Sequence, residues 1–70
     1  MRDWMKTLRD ERHLTMKDVS QKLGISESYY CAIENGSRQK KMDMVLISGL
    51  ASIFEVPLSA IFEYEREAAE

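Results

Sequence analysis

Seventy residues with a single cysteine (Cys31) and a single histidine (His13) make one small domain, with neither an internal disulfide nor a Cys/His zinc site. A chain of this size buries only about 60% of its unfolded surface and is marginally stable, and its lone cysteine fits a reducing, cytoplasmic compartment. No apolar run approaches the ~20 residues of a membrane span, and no signal-peptide core follows Met1-Arg2-Asp3-Trp4.

The net charge of −2 conceals a division. Residues 1–41 hold nine bases (Arg2, Lys6, Arg9, Arg12, Lys17, Lys22, Arg38, Lys40, Lys41) against six acids. Residues 42–70 hold Arg66 alone against six acids. Such a split implies a basic working face on an acidic remainder.

One proline, three glycines and no sustained period-two alternation predict an all-α domain of five helices, spanning residues 1–70 with its core in about 2–62. The first helix is expected from about Arg2 to Arg12, with Trp4, Met5 and Leu8 on one stripe. Thr15 is a good N-cap for a second helix, Met16 to Leu23, and Asp18 completes a capping-box-like arrangement in place of the usual Glu or Gln. Gly24 stops that helix, because glycine adopts the left-handed conformation at low cost. Ser26 caps a third helix, Glu27 to Asn35, which ends at Gly36. A polar, basic loop follows from Ser37 to Met42, and Asp43 caps a fourth helix carrying Val45, Leu46, Leu50, Ile53 and Phe54. Gly49 inside that helix costs ~1 kcal/mol against alanine, and it reads equally as a place where another helix crosses closely or as neutral drift. Pro57 opens a short fifth helix with Leu58, Ile61 and Phe62 expected to face inward, and an acidic tail, residues 63–70, expected to fray.

The segment Met16 to Gly36 carries the functional signal. Val19 and Leu23 lie one turn apart on helix two, Ile25 fills the corner, and Tyr30 and Ile33 lie one turn apart on helix three. Ser20 is small where helix three must approach. This pattern locks two short helices at the steep angle of a helix-turn-helix. Glu27, Ser28, Tyr29, Cys31 and Ala32 then face outward or sideways, and an exposed helix of this kind fits the major groove of DNA.

The stretch LRDERHLTMKDVSQKLGISESYYCAIENGSR resembles the phage-repressor and Cro-like (XRE-type) helix-turn-helix domains. Their pattern opens on Leu-Arg, places Leu-Thr-Gln before helix two and Leu-Gly-Val/Ile-Ser at the turn, and puts Ile-Glu-x-Gly after helix three. The downstream FEVPLSAIF resembles the family's closing Leu-Gly-Val-Ser-Leu-x-x-Leu-Phe, so the resemblance covers about residues 5–62. It implies a compact five-helix, lambda-repressor-like fold and a sequence-specific DNA-binding regulator of the small phage or mobile-element repressor type.

The resemblance also implies roles. Arg9 and Glu34 fall where the family places an internal ion pair joining helix one to the end of helix three. The family's base readers fall on Glu27, Ser28 and Ala32, and the contacts after the recognition helix fall on Asn35, Ser37 and Arg38. Lys17 and Ser26 at the starts of the two helices, with Tyr29, Lys40 and Lys41, complete the expected DNA-contacting set. Three positions depart from the pattern. Glu27 replaces the commoner Gln or Arg, Met16 replaces the Gln that bonds phosphate, and Gln39-Lys40-Lys41 stands where a proline is usual. His13 stands in a loop where glycine is usual.

Blander readings stand beside these. The basic loop reads as a solvated stretch or a phosphate clamp, Tyr29 as a half-exposed packing residue or a DNA contact, and Cys31 as a half-buried filler rather than a redox sensor. The methionines read as adaptable packing, with Met42 and Met44 the two to find exposed. A homodimer through the C-terminal helices, with Met44, Ile47 or Phe62 at the interface, would place two recognition helices ~34 Å apart on DNA. The acidic tail and the weakened readers favour a different function, a protein-interaction module such as an antitoxin-like or partner-bound regulator. No nucleophile–base pair, phosphate-cradling loop or paired-carboxylate site points to an enzyme. No cofactor, small-molecule ligand or membrane contact is indicated.

Overall fold

The computed structural model describes residues 2–39 and 41–68. Five helices follow one another: α1 (Asp3–Glu11), α2 (Met16–Leu23), α3 (Glu27–Asn35), α4 (Met44–Phe54) and α5 (Leu58–Ala68), with no strand among the described residues.

Local chemistry sets the boundaries. The Thr15 hydroxyl accepts the Asp18 N–H at 3.0 Å and the Thr15 N–H donates to the Asp18 carboxylate at 2.9 Å, so a full capping box forms with aspartate in the third position. That backbone N–H bond, followed by the Thr15 hydroxyl, holds the Asp18 carboxyl below its ordinary value. Ser26 and Asp43 cap α3 and α4 with the first half of that arrangement, their side chains accepting the N–H groups of Tyr29 and Leu46. Gly24 ends α2 at φ 74°, and nothing lies within 4 Å of where a β-carbon would sit, so the backbone angle rather than space selects glycine. His13 (φ 56°) and Glu55 (φ 57°) adopt the same left-handed backbone while carrying side chains.

The core collects one stripe from each helix. Met5, Val19, Tyr30, Ile33, Leu50, Phe54 and Ile61 are fully buried, the six wholly apolar ones each contributing about 1.5–3 kcal/mol over the exposed state. Gly49 is where α4 closes on α2: a β-carbon there would stand 2.8 Å from Leu23 Cδ2. Ser20, also buried, returns its hydroxyl to the Lys17 carbonyl at 2.9 Å.

Several expectations are corrected. Helix five is neither short nor frayed from Glu63: it runs to Ala68, because Tyr64 stacks on Trp4 (ring centroids 5.4 Å apart) and Glu65 accepts the Trp4 indole N–H at 3.0 Å. Ala69 and Glu70 lie outside the described residues. Its inward face is Ile61, Tyr64 and Glu65, while Leu58 and Phe62 are 40% and 48% exposed. Ile47 belongs to the core and has no surface to give a dimer interface. Cys31 is exposed rather than half-buried. Arg2 flanks α1 as its N-cap residue instead of opening the helix, and it is buried.

Candidate nucleic-acid interface

The helix-turn-helix is built by α2, the Gly24–Ser26 turn and α3. Beyond Gly24, the Ile25 N–H bonds the Ser20 carbonyl at 3.0 Å, which draws the chain back over α2 before α3 begins. Tyr30 and Ile33 anchor one side of α3 in the core. The other side presents Glu27, Ser28 and Cys31, all exposed, with Tyr29 and Ala32 at its half-buried edges.

The end of α3 is held from α1. Arg9 Nε and Nη2 donate to the two Glu34 carboxylate oxygens at 3.0 and 3.1 Å, and Nη1 reaches the Leu14 carbonyl at 3.3 Å. Both side chains are buried, and the carboxylate hydrogen bond raises the Arg9 pKa further above its ordinary value. The Tyr30 hydroxyl lies buried in this neighbourhood without a hydrogen-bond partner of acceptable geometry. Burial first, and the negative Glu34 carboxylate second, push its pKa up.

The other residues expected to contact DNA come before and after α3 in the chain. Lys17 is exposed in the first turn of α2, and Ser26 is exposed with its hydroxyl engaged as the α3 cap. Beyond α3, Asn35 Oδ1 accepts the Ser37 N–H at 3.0 Å, and the Ser37 hydroxyl donates to the Ala32 carbonyl at 3.3 Å. Both N–H groups of Ser37 and Arg38 bond the Ala32 carbonyl, so this segment folds back onto the helix end. The Arg38 side chain is free to face solvent, and Lys41 is exposed. Lys40 lies outside the described residues. The Tyr29 hydroxyl accepts a hydrogen bond from Gln39 Nε2 at 2.8 Å, which commits it to the fold.

Three participants escaped the sequence reading: Arg2, Gln39 and Glu65. The Arg2 guanidinium bonds Glu65 through Nε at 3.0 Å and the Ile33 carbonyl through Nη1 at 2.5 Å. It also bonds the Arg38 carbonyl at 3.2 Å and, through Nη2, the Gln39 carbonyl. Gln39 in turn links Tyr29 to the Asp43 N–H. The only local hint for Arg2 is its spacing, three residues before Met5 and seven before Arg9, which prolongs the inward stripe of α1 beyond the helix start but points to no partner. Two of the nine bases assigned to the basic face, Arg2 and Arg9, are therefore internal and paired.

Two short helices at a glycine turn, the second with one buried and one open side, define a helix-turn-helix DNA-binding domain. The chain belongs to the phage-repressor and Cro-type helix-turn-helix family: the family model, described as helix-turn-helix, matches residues 5–61. Domains of this family are DNA-binding regulator modules and are not typically enzymes. No curated protein and no solved structure matches the chain. Among the described residues no group of three or more His, Cys, Asp or Glu could hold a metal ion, and no single helix is long and apolar enough to cross a membrane.

Proposed function

We propose that the protein is a cytoplasmic, sequence-specific repressor of the small phage or mobile-element type, with α3 in the major groove. The observation that carries the reading is the open face of α3, Glu27, Ser28 and Cys31, together with exposed bases before and after that helix in the chain, Lys17 in the first turn of α2 and Arg38 and Lys41 beyond α3. On this reading Ser28 and Glu27 read base edges, Glu27 by accepting from cytosine N4, and Ala32 offers contact to a thymine methyl. Lys17, Ser26, Asn35, Arg38, Lys40 and Lys41 serve phosphates, Ser37 exchanging its hydroxyl bond to the Ala32 carbonyl for one when DNA arrives, and Tyr29 packs its ring edge beside them. A homodimer would align two such faces on a palindrome; exposed Met44, Val45, Leu58 and Phe62 supply apolar surface on the C-terminal helices.

A second reading, a protein-interaction module, is favoured by one observation. A cleft of about 310 Å³ lies between the helix-turn-helix and the start of α4, its apolar wall made by Leu23, Ile25, Val45 and Leu46 and its polar rim by Lys22, Gln39 and Asp43. Selection of random duplexes by the purified protein, followed by binding at two salt concentrations, separates the two. A repressor enriches a palindrome and loses affinity steeply with salt, at a slope of about −0.9 per phosphate contacted. Absence of enrichment, with weak and salt-insensitive binding, refutes it in favour of the second reading.

A further inference from the structure

We propose that Arg2 is a positioning residue for DNA binding: its buried guanidinium holds the segment after α3 in the shape that offers Arg38 and Lys41 to phosphate. The inference rests on the DNA-binding reading above.

The last carbonyls of any helix lack intrahelical partners and favour a cation. α3 has no basic residue in its last turn. Arg2 supplies one from another element: its N–H bonds the Glu34 carbonyl at 2.8 Å and its guanidinium bonds the Ile33 carbonyl. The same guanidinium then reaches past the helix to the Arg38 and Gln39 carbonyls. Gln39 sits at φ 53°, a left-handed backbone that disfavours a residue with a β-carbon. Such a conformation persists only when its surroundings determine it. Arg2 on the Gln39 carbonyl, with Tyr29 and Asp43 on the Gln39 side chain, are those surroundings. No proline stiffens the segment.

Arg2 is 5% exposed and cannot itself reach a phosphate. Its effect on DNA is therefore indirect, through the backbone that carries Arg38. The task also requires arginine. Four acceptor residues lie around one planar fork with Glu65 fixing its orientation, and a lysine ammonium cannot span them.

The test uses the full chain and a duplex enriched by selection. Arg2→Met is expected to weaken binding about tenfold and to lower the salt slope by about one ion, the signature of a lost phosphate contact. Arg38→Ala should do the same, and the double variant should be little worse than either alone. Arg2→Lys should not restore binding. In the free protein, amide exchange at Ser37 and Arg38 should accelerate in Arg2→Met. Thermal melts establish that each variant is folded at the assay temperature. Should Arg2→Met fail to fold, Glu65→Gln, which loosens the fork while keeping its shape, takes its place with a loss of about threefold expected. A folded variant with wild-type affinity, slope and exchange overturns the proposal, as do losses from Arg2→Met and Arg38→Ala that multiply independently. Accelerated exchange in Arg2→Met beside a wild-type protein that binds no duplex overturns the DNA-binding reading instead, and the proposal with it.

Discussion

Removing Arg9 alone should nearly unfold the domain, while removing Arg9 and Glu34 together should not. In Arg9→Met the Glu34 carboxylate, 2% exposed, loses both of its guanidinium hydrogen bonds, and the Leu14 carbonyl loses its contact with Nη1. Stranding one member of a buried pair costs about 3–5 kcal/mol. A chain of seventy residues holds only about 4–10 kcal/mol in total, at ~0.05–0.15 per residue. The single variant therefore loses from about a third to all of its stability, and Glu34→Leu, which strands the guanidinium, loses a similar amount. Arg9→Met with Glu34→Leu leaves no buried charge and fills the space with apolar atoms. It should return to within about 1 kcal/mol of the wild type, since apolar replacement of a whole buried pair is often neutral or stabilising. Urea unfolding followed by helical circular dichroism measures all three against the parent. A double variant no more stable than the weaker single, or singles that lose less than about 1 kcal/mol, would refute the reasoning.

Two further outcomes follow from the backbone and the core. Glu55→Gly relieves a side chain of its left-handed backbone at φ 57° and should stabilise the domain by about 1 kcal/mol, read as a rise of about 4–8 °C in Tm; an unchanged or lower Tm contradicts it. Tyr30→Phe removes a buried hydroxyl without a partner and should gain about 1 kcal/mol; a comparable loss in urea would mean that the hydroxyl bonds Glu34 in solution. Because the folded state raises the Tyr30 pKa, the unfolded chain ionises first. Stability involving this residue is intact below about pH 10 and falls as pH rises from there toward the folded value. Tyr30→Phe should flatten that alkaline loss.

The helix-turn-helix was legible because its signals are local. Thr15 and Asp18, Ser26 and Tyr29, and the glycines at 24 and 36 act within a few residues of one another, so α2 and α3 begin and end where the sequence predicts. The close approach at Gly49 was only half legible: a glycine inside a helix is explained equally by drift, and the Leu23 methyl 2.8 Å from where a β-carbon would stand shows that α4 does meet α2 there. What failed was non-local. Arg2 reads as one more surface base, and nothing in its neighbours announces a carboxylate sixty-three residues away. The Glu-rich end of α5 reads as solvated until Trp4 and Arg2 are placed beside it. Spacing on α5 permits either Leu58-Ile61-Phe62 or Ile61-Tyr64-Glu65 as the inner face, and the Trp4 ring and indole N–H decide for the second. The exposure of Cys31 follows from Tyr30 taking the core side of α3.

The Arg2–Glu65 pair also bears on the order of events when the chain folds. The contacts that shape α2 and α3 join residues a few positions apart and form with little loop-closure entropy, whereas the pair must wait for nearly the whole chain to be in place. An interaction made after the rate-limiting step leaves the folding rate alone and sets how fast the native state comes apart. Loosening the pair, as in Glu65→Gln, is therefore expected to speed unfolding more than it slows folding, which stopped-flow rates across a range of urea would measure.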